Sequence, residues 1–277
     1  MDTQMDPAEA VHQLWLACAR WEALASSVED LAGRGFIEGS RIHADNLAAS
    51  VVSDPPAISR YLQERTWNLA RMLRAVHEMT FNTTPGSLFL NPTVLYPLMR
   101  AALEDAASIV WLQTPTALEE RLSRTLRSLS TEMRYYVRNQ TLLARAVAEV
   151  DIPGVDVAEL SEGLLAHMRE EERKAGEHFA LLADELQLDV KAVTKSLPTS
   201  APITSVYGEA GVERVAWGML SDFSHFSYLM LRFTSGADQP DPSAPVLHTT
   251  MLQLTNTLNA VISDAIDLLA TACIPKA

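Results

Sequence analysis

The chain has 277 residues, of which 48% are hydrophobic and 21% charged, and its formal net charge is −13. That length admits one large domain or two small ones, and the composition is that of a globular protein and not a disordered one. The acidity repels phosphate backbones and acidic membranes, so any contact with nucleic acid has to come from a local basic patch.

Two cysteines, Cys18 and Cys273, are too few for a disulfide framework or a cysteine-based metal site, and read as buried thiols. The opening M-D-T-Q-M-D-P is acidic and lacks the basic patch and apolar core of a secretory signal. The most apolar window, Val215 to Leu231, is interrupted by Gly218, Asp222 and His225, whereas a spanning helix wants about 20 apolar residues. A cytoplasmic protein without a membrane span is the expectation.

Apolar residues recur with the 3.6-residue helical period and no segment alternates as a strand would, so the expected fold class is all-α. A helix opens at Asp6-Pro7, with proline at an early helical position, and ends before Gly33. A shorter one covers roughly Ile37 to Val51. S-D-P-P starts a third, carrying Tyr61, Trp67, Leu69, Leu73 and Val76, that ends at N-T-T-P-G, 82–86. Asn91-Pro92 caps the fourth, to Gln113, and the T-P-T break precedes a fifth of about thirty residues that closes near D-I-P-G, 151–154.

An acidic helix from about Val157 to Leu186 and a short one near Val190 to Lys195 follow. The longest break is 196–205, a lid or a crossover. Helices Tyr207 to Thr234 and Val246 to Ala272 complete the chain. Long helices with short breaks predict an antiparallel helical bundle of about seven main helices. The chain is expected to be a single domain, with 1–51 an N-terminal helical pair packed on the 55–272 bundle.

Within the penultimate helix, Arg214, Gly218, Ser221, His225 and Arg232 fall within about 60° of one another, flanked by Trp217, Ser224 and Tyr228. Val215, Met219, Phe223, Phe226 and Met230 form the other face. The stripe carries no Glu or Lys, and a polar stripe on a helix otherwise apolar must find partners. The fourth helix has the same character: Arg100, Glu104 and Ser108 repeat at i, i+4 and i+8 with Trp111 beside them, and Ala101, Ala102, Ala106 and Ala107 let a neighbour approach. These faces are expected to meet, with Arg100 and Glu104 opposite Ser221 and His225 and Asp222 at the margin. A carboxylate beside a histidine raises its pKa and fixes its tautomer, as a general acid or base requires. On the last helix Gln253 and Asn256 belong to a polar, uncharged side that suits either a pocket lining or a wet surface.

Arg127, Arg134, Arg138 and Arg145 align within about 40° on the fifth helix, a candidate phosphate track. Their alternative is a solvated face, or one neutralised by Glu170, Glu171, Glu172, Glu177, Asp184 and Glu185 on the next helix. Glu9-Ala-Val-His12 is the one Glu-x-x-His, too little for a carboxylate-bridged metal pair. Ser221 has no nucleophile elbow around it, and glycine-rich phosphate loops are absent. No metal and no cofactor is expected.

The run L-M-R-A-A-L-E-D-A-A-S-I-V-W-L, followed by M-L-S-D-F-S-H, resembles uncharacterised all-helical bacterial proteins with Arg-x-x-x-Glu on one helix and Ser-x-x-x-His on a later one, near the HEPN superfamily of helical RNA-cleaving and defence proteins. The resemblance spans Pro92 to Phe233 and implies a site at Arg100, Glu104, Ser221 and His225. HEPN nucleases carry Arg and His within one helix, a pattern found here only at Arg71 to His77 and Arg173 to His178.

The expected function is a small-molecule enzyme or ligand-binding protein with a buried polar site between the 92–113 and 207–234 helices. His225 is its acid or base, Glu104 orients it, Ser221 hydrogen bonds, and Asp222 sits at the edge. Arg100 engages an anionic group, and Arg214, Trp217, Tyr228, Gln253 and Asn256 complete the ligand contacts. The alternatives are a HEPN-like nucleic-acid-cleaving or defence protein using the arginine face, and a non-catalytic oligomeric scaffold with a second copy as partner in a homodimer. The first requires an enclosed pocket at His225, the second a basic groove reaching a histidine, the third neither.

Overall fold

A computed structural model describes residues 6–34, 37–52, 55–81, 90–149, 156–224 and 243–275. Ten helices lie among them: α1 (Pro7–Gly33), α2 (Arg41–Ala49), α3 (Pro55–Phe81), α4 (Pro92–Gln113), α5 (Leu118–Val147), α6 (Val157–Glu185), α7 (Val190–Thr194), α8 (Ala201–Tyr207), α9 (Val212–Ser224) and α10 (Ser243–Cys273). No strand occurs among the described residues; a lone backbone bridge joins Ser40 to Pro275. The fold is all-α, as the period predicts, with ten helices where the sequence suggests about seven.

Two of the ten, α2 and α7, are the short helices expected beside the main ones, and α8 is the addition, formed within the segment read as a break. Pro202 sits near the start of α8, where its missing N–H costs nothing. Gly208, at φ 82°, ends that helix, a left-handed conformation that favours glycine. A further Cβ at Gly211 would lie 2.3 Å from the Tyr207 carbonyl oxygen, so the turn closes only on glycine. Tyr207 therefore ends α8, and does not open the next helix. Helix α9 starts at Val212; of the expected helix to Thr234, the part beyond Ser224 lies outside the described residues.

The chain divides into two compact units. The first comprises residues 1–43, 62–114 and 199–277. Its core is built on α1, the second half of α3, α4, α9 and α10. Leu14, Ala17, Cys18, Trp21, Ala25 and Val28 recur on one stripe of α1 and are buried against Met251, Leu258, Val261, Ile262 and Ala265 of α10. Fully burying each larger apolar side chain contributes about 1.5–3 kcal/mol.

Helix α4 is buried almost all round, from Leu95 to Gln113, and its alanines 102, 106 and 107 are inside as expected for close approach. Tyr96 stacks on Phe223 of α9 with centroids 4.3 Å apart. Polar contacts set alignment: Asn259 Nδ2 donates to the Ala17 carbonyl at 3.0 Å, and Arg65 donates to Asp105 at 2.6 Å.

The second unit comprises 44–61 and 115–198. Here α5 and α6 run antiparallel, with Leu122, Leu126, Phe179, Leu182 and Ala183 packed together with Val193 of α7 and with Ala49 and Val52. Arg121, nearly buried, donates to Asp45 Oδ2 at 2.7 Å and to the Pro115 and Thr116 carbonyls at 3.0 and 2.7 Å. A buried guanidinium is tolerable only when its donors are filled, and this one also ties the α4–α5 connection to α2 within the unit.

Candidate functional site

Two constellations bring expected site residues together, one in each unit. The first joins α4 to α9. Along α4, Arg100 Nε donates to Glu104 Oε1 at 3.1 Å, although arginine preceding glutamate is the less favourable order on a helix. From α9, Trp217 Nε1 donates to the same oxygen at 2.8 Å. The Arg100 and Arg214 guanidinium carbons lie 5.3 and 4.8 Å from the Trp217 ring centroid, within cation–π range. Among the described residues Arg214 pairs with the exposed Glu209 at 3.9 Å, and its buried Nε has no hydrogen-bond partner there.

Chemically, this cluster holds one carboxylate and two cations around an indole. Glu104 Oε1 is already committed to two donors, so the carboxylate positions Trp217 and Arg100. The expected partner of Glu104 was a histidine one turn beyond Ser221. His225 and Tyr228 lie outside the described residues, and among the described residues no hydrogen bond joins Ser221 to Arg100 or Glu104. Asp222 is exposed, and Gln253 and Asn256 are exposed on α10. What the cluster shares with the expectation is Arg100, Glu104, Arg214 and Trp217.

The second constellation lies along α5. A cavity of about 550 Å³ lies along that helix, lined by Tyr135, Arg134, Arg138 and Arg145 with Glu172 of α6 and Ser196. A smaller one of about 260 Å³ shares Arg134, Val137 and Glu172 with it. The arginine row divides in two. Arg127 donates to the Lys195 and Ser196 carbonyls at 3.1 and 3.2 Å, and Arg134 to the Thr194 carbonyl. These are the carbonyls left over where α7 ends, and cations there satisfy orphan acceptors at the negative end of a helix. The Leu197 amide donates to Thr131 Oγ1 at 3.1 Å, which pins the same segment to α5.

Arg138 and Arg145 have no such partner. Among the described residues no carboxylate lies within ion-pair distance of Arg134, Arg138 or Arg145. On the acidic α6, Glu170 and Glu177 take Arg173 and Glu171 lies 3.3 Å from Lys174 along the same helix, while Glu172 lines the cavity beyond ion-pair distance of these arginines. The expected four-arginine track is thus a cleft carrying Arg134, Arg138 and Arg145, with Arg127 consumed by backbone carbonyls.

Four residues are absent from the sequence reading, two in this cleft and two on α10. Tyr135 and Ser196 were not singled out, although Tyr135 lies about 60° from Arg138 on the wheel and was legible as part of that face. Thr255 and Asn259 of α10 were passed over for Gln253 and Asn256; both are buried and fall within about 60° of Ile262 on the apolar side. Among the described residues no group of three or more His, Cys, Asp or Glu could hold a metal ion, and no described helix is long and apolar enough to cross a membrane. Comparison with family models, with curated proteins and with solved structures finds no match, so the reading of the site rests on its own geometry.

Proposed function

We propose that this protein binds a small anionic molecule in the α5–α6 cleft of its second unit. The observation that carries this is a cavity of about 550 Å³ lined by three guanidiniums, none paired with a carboxylate among the described residues, in a chain of net charge −13. Unpaired arginines crowded on one face repel one another, and an anion that takes bidentate hydrogen bonds from them relieves that repulsion. The volume falls in the range of small-molecule sites, about 300–1,000 Å³. A nucleic-acid strand would extend past the cleft and meet the rest of an acidic protein, which argues for a compact ligand.

Thermal unfolding with inorganic pyrophosphate tests this. A ligand at about 100 times its Kd stabilises the native state by about 2.7 kcal/mol, a rise of roughly 5 °C in Tm. That rise is expected for the native chain and not for Arg138→Ala/Arg145→Ala, whose altered side chains are exposed. No rise in the native chain, or an equal one in both, rejects the reading.

A second reading keeps the ligand at the α4–α9 cluster, and the buried, unpartnered Nε of Arg214 favours it. In that reading an anionic group takes the free side of Arg214, with His225 as acid or base. A ligand there would change Trp217 emission. Titration with pyrophosphate is then expected to quench fluorescence in the native chain and not in Trp217→Phe. Quenching that survives that substitution removes this reading.

A further inference from the structure

The cleft on α5 is not lined by charge alone. Tyr135 and Leu142 alternate with Arg138 and Arg145 along its floor. These two side chains are 40% and 53% exposed, apolar surface that an inorganic anion would leave bare. Burying it against a ring is worth more than leaving it in water, and a tyrosine face accepts a flat π-system at little entropic cost. Ser196 and Glu172 also line the cleft, a hydroxyl and a carboxylate with hydrogen-bonding capacity for a polar ligand edge.

Resting on the anion-site reading above, we propose that the ligand is a phosphate ester carrying a flat aromatic group. Its ring stacks on Tyr135 beside Leu142 and its phosphate takes hydrogen bonds from Arg138 and Arg145. The two guanidiniums start about 10.5 Å apart along the helix axis at 1.5 Å per residue, and their long stems let both reach one phosphate or two in series. Arg134, held by the Thr194 carbonyl, adds field without having to move. The geometry selects against a bare anion, which wastes the apolar floor, and against a plain aromatic compound, which leaves the arginines uncompensated.

Isothermal titration with three probes separates the parts: adenosine diphosphate, which has ring and phosphates, pyrophosphate, which has phosphates alone, and adenosine, which has the ring alone. Stacking one base on an aromatic side chain is worth a factor of about 5 to 150 in affinity. Adenosine diphosphate is therefore expected to bind about tenfold or more tightly than pyrophosphate. Tyr135→Ala should bring it down to the pyrophosphate value while leaving pyrophosphate unchanged, and Arg138→Ala should weaken both.

If adenosine diphosphate and pyrophosphate bind equally well, or Tyr135→Ala weakens them in equal proportion, this inference falls and the anion site stands. If neither binds, both fall. An oligothymidine of about twelve nucleotides that binds more tightly than adenosine diphosphate, with a salt dependence several-fold steeper, overturns the small-ligand assignment in favour of a single strand.

Discussion

Individual side chains show most directly how burial sets chemistry in this protein. Cys18 is completely buried, and loss of water pushes its thiol from an ordinary 9.0 up to about 12, with the Thr255 hydroxyl acting in the opposite sense. Burial likewise pushes the Tyr96 phenol up to about 12. Both are acids held neutral by the fold. Above the ordinary pKa the unfolded chain gives up these protons first, so it binds fewer protons than the native state and stability falls as pH rises. The window runs from about 9, where the unfolded thiol ionises, to about 12, where the native groups follow. Urea midpoints are expected to hold steady near neutrality and drop through that window, with a shallower drop in Cys18→Ala. Midpoints unchanged by alkali would show that these groups are hydrated in the native state. The same burial accounts for the sequence reading of the cysteines as inert thiols.

Helices and their joints were legible in unequal measure. The ends of α1 and α6 followed from local chemistry: Asp6 caps the first through the Ala8 amide and Asp156 the other through the Ala158 and Glu159 amides. The α8–α9 joint was not legible, because a helix of seven residues leaves too little periodicity to see and its P-I-T-S composition reads as loop. Its structure hangs on Gly211, where an added methyl would meet the Tyr207 carbonyl at 2.3 Å. Gly211→Ala is expected to cost about 1–3 kcal/mol, the range for backbone forced out of a preferred conformation. Because the joint delivers α9 and its Trp217 to Glu104, the same substitution should also shift Trp emission. A variant with native Tm and native emission would mean that the turn relaxes without strain. For α5 the alignment of its arginines was plain on the wheel, yet their partition was not. Which of them cap α7 depends on where α7 ends in space.

Over the whole chain, contacts that define the two units are remote in sequence. Asn259 meets the Ala17 carbonyl across 242 positions, Trp217 meets Glu104 across 113, and Arg121 meets Asp45 across 76. Helix α3 contributes residues up to Tyr61 to the second unit and from Leu62 to the first, without a break at the boundary. No proline or glycine marks that point, whereas Pro115 and Pro198 stand at two of the other boundaries between the units. A net charge of −13 repels polyanions over the surface as a whole, while Arg134, Arg138 and Arg145 gather along one cleft.

By itself the sequence determined that the fold class is all-α, which stripe of each long helix is apolar, and that one helix carries a row of arginines. These are properties of a single helix, fixed by the angle between successive side chains. Tertiary structure alone decided which polar groups find partners. Glu104 accepts from Trp217, Arg127 and Arg134 donate to carbonyls where α7 ends, and Arg138 and Arg145 line a cavity. Hydrogen bonding and pairing act over a few ångströms, and the neighbour at that distance comes from another helix whose approach no periodicity encodes.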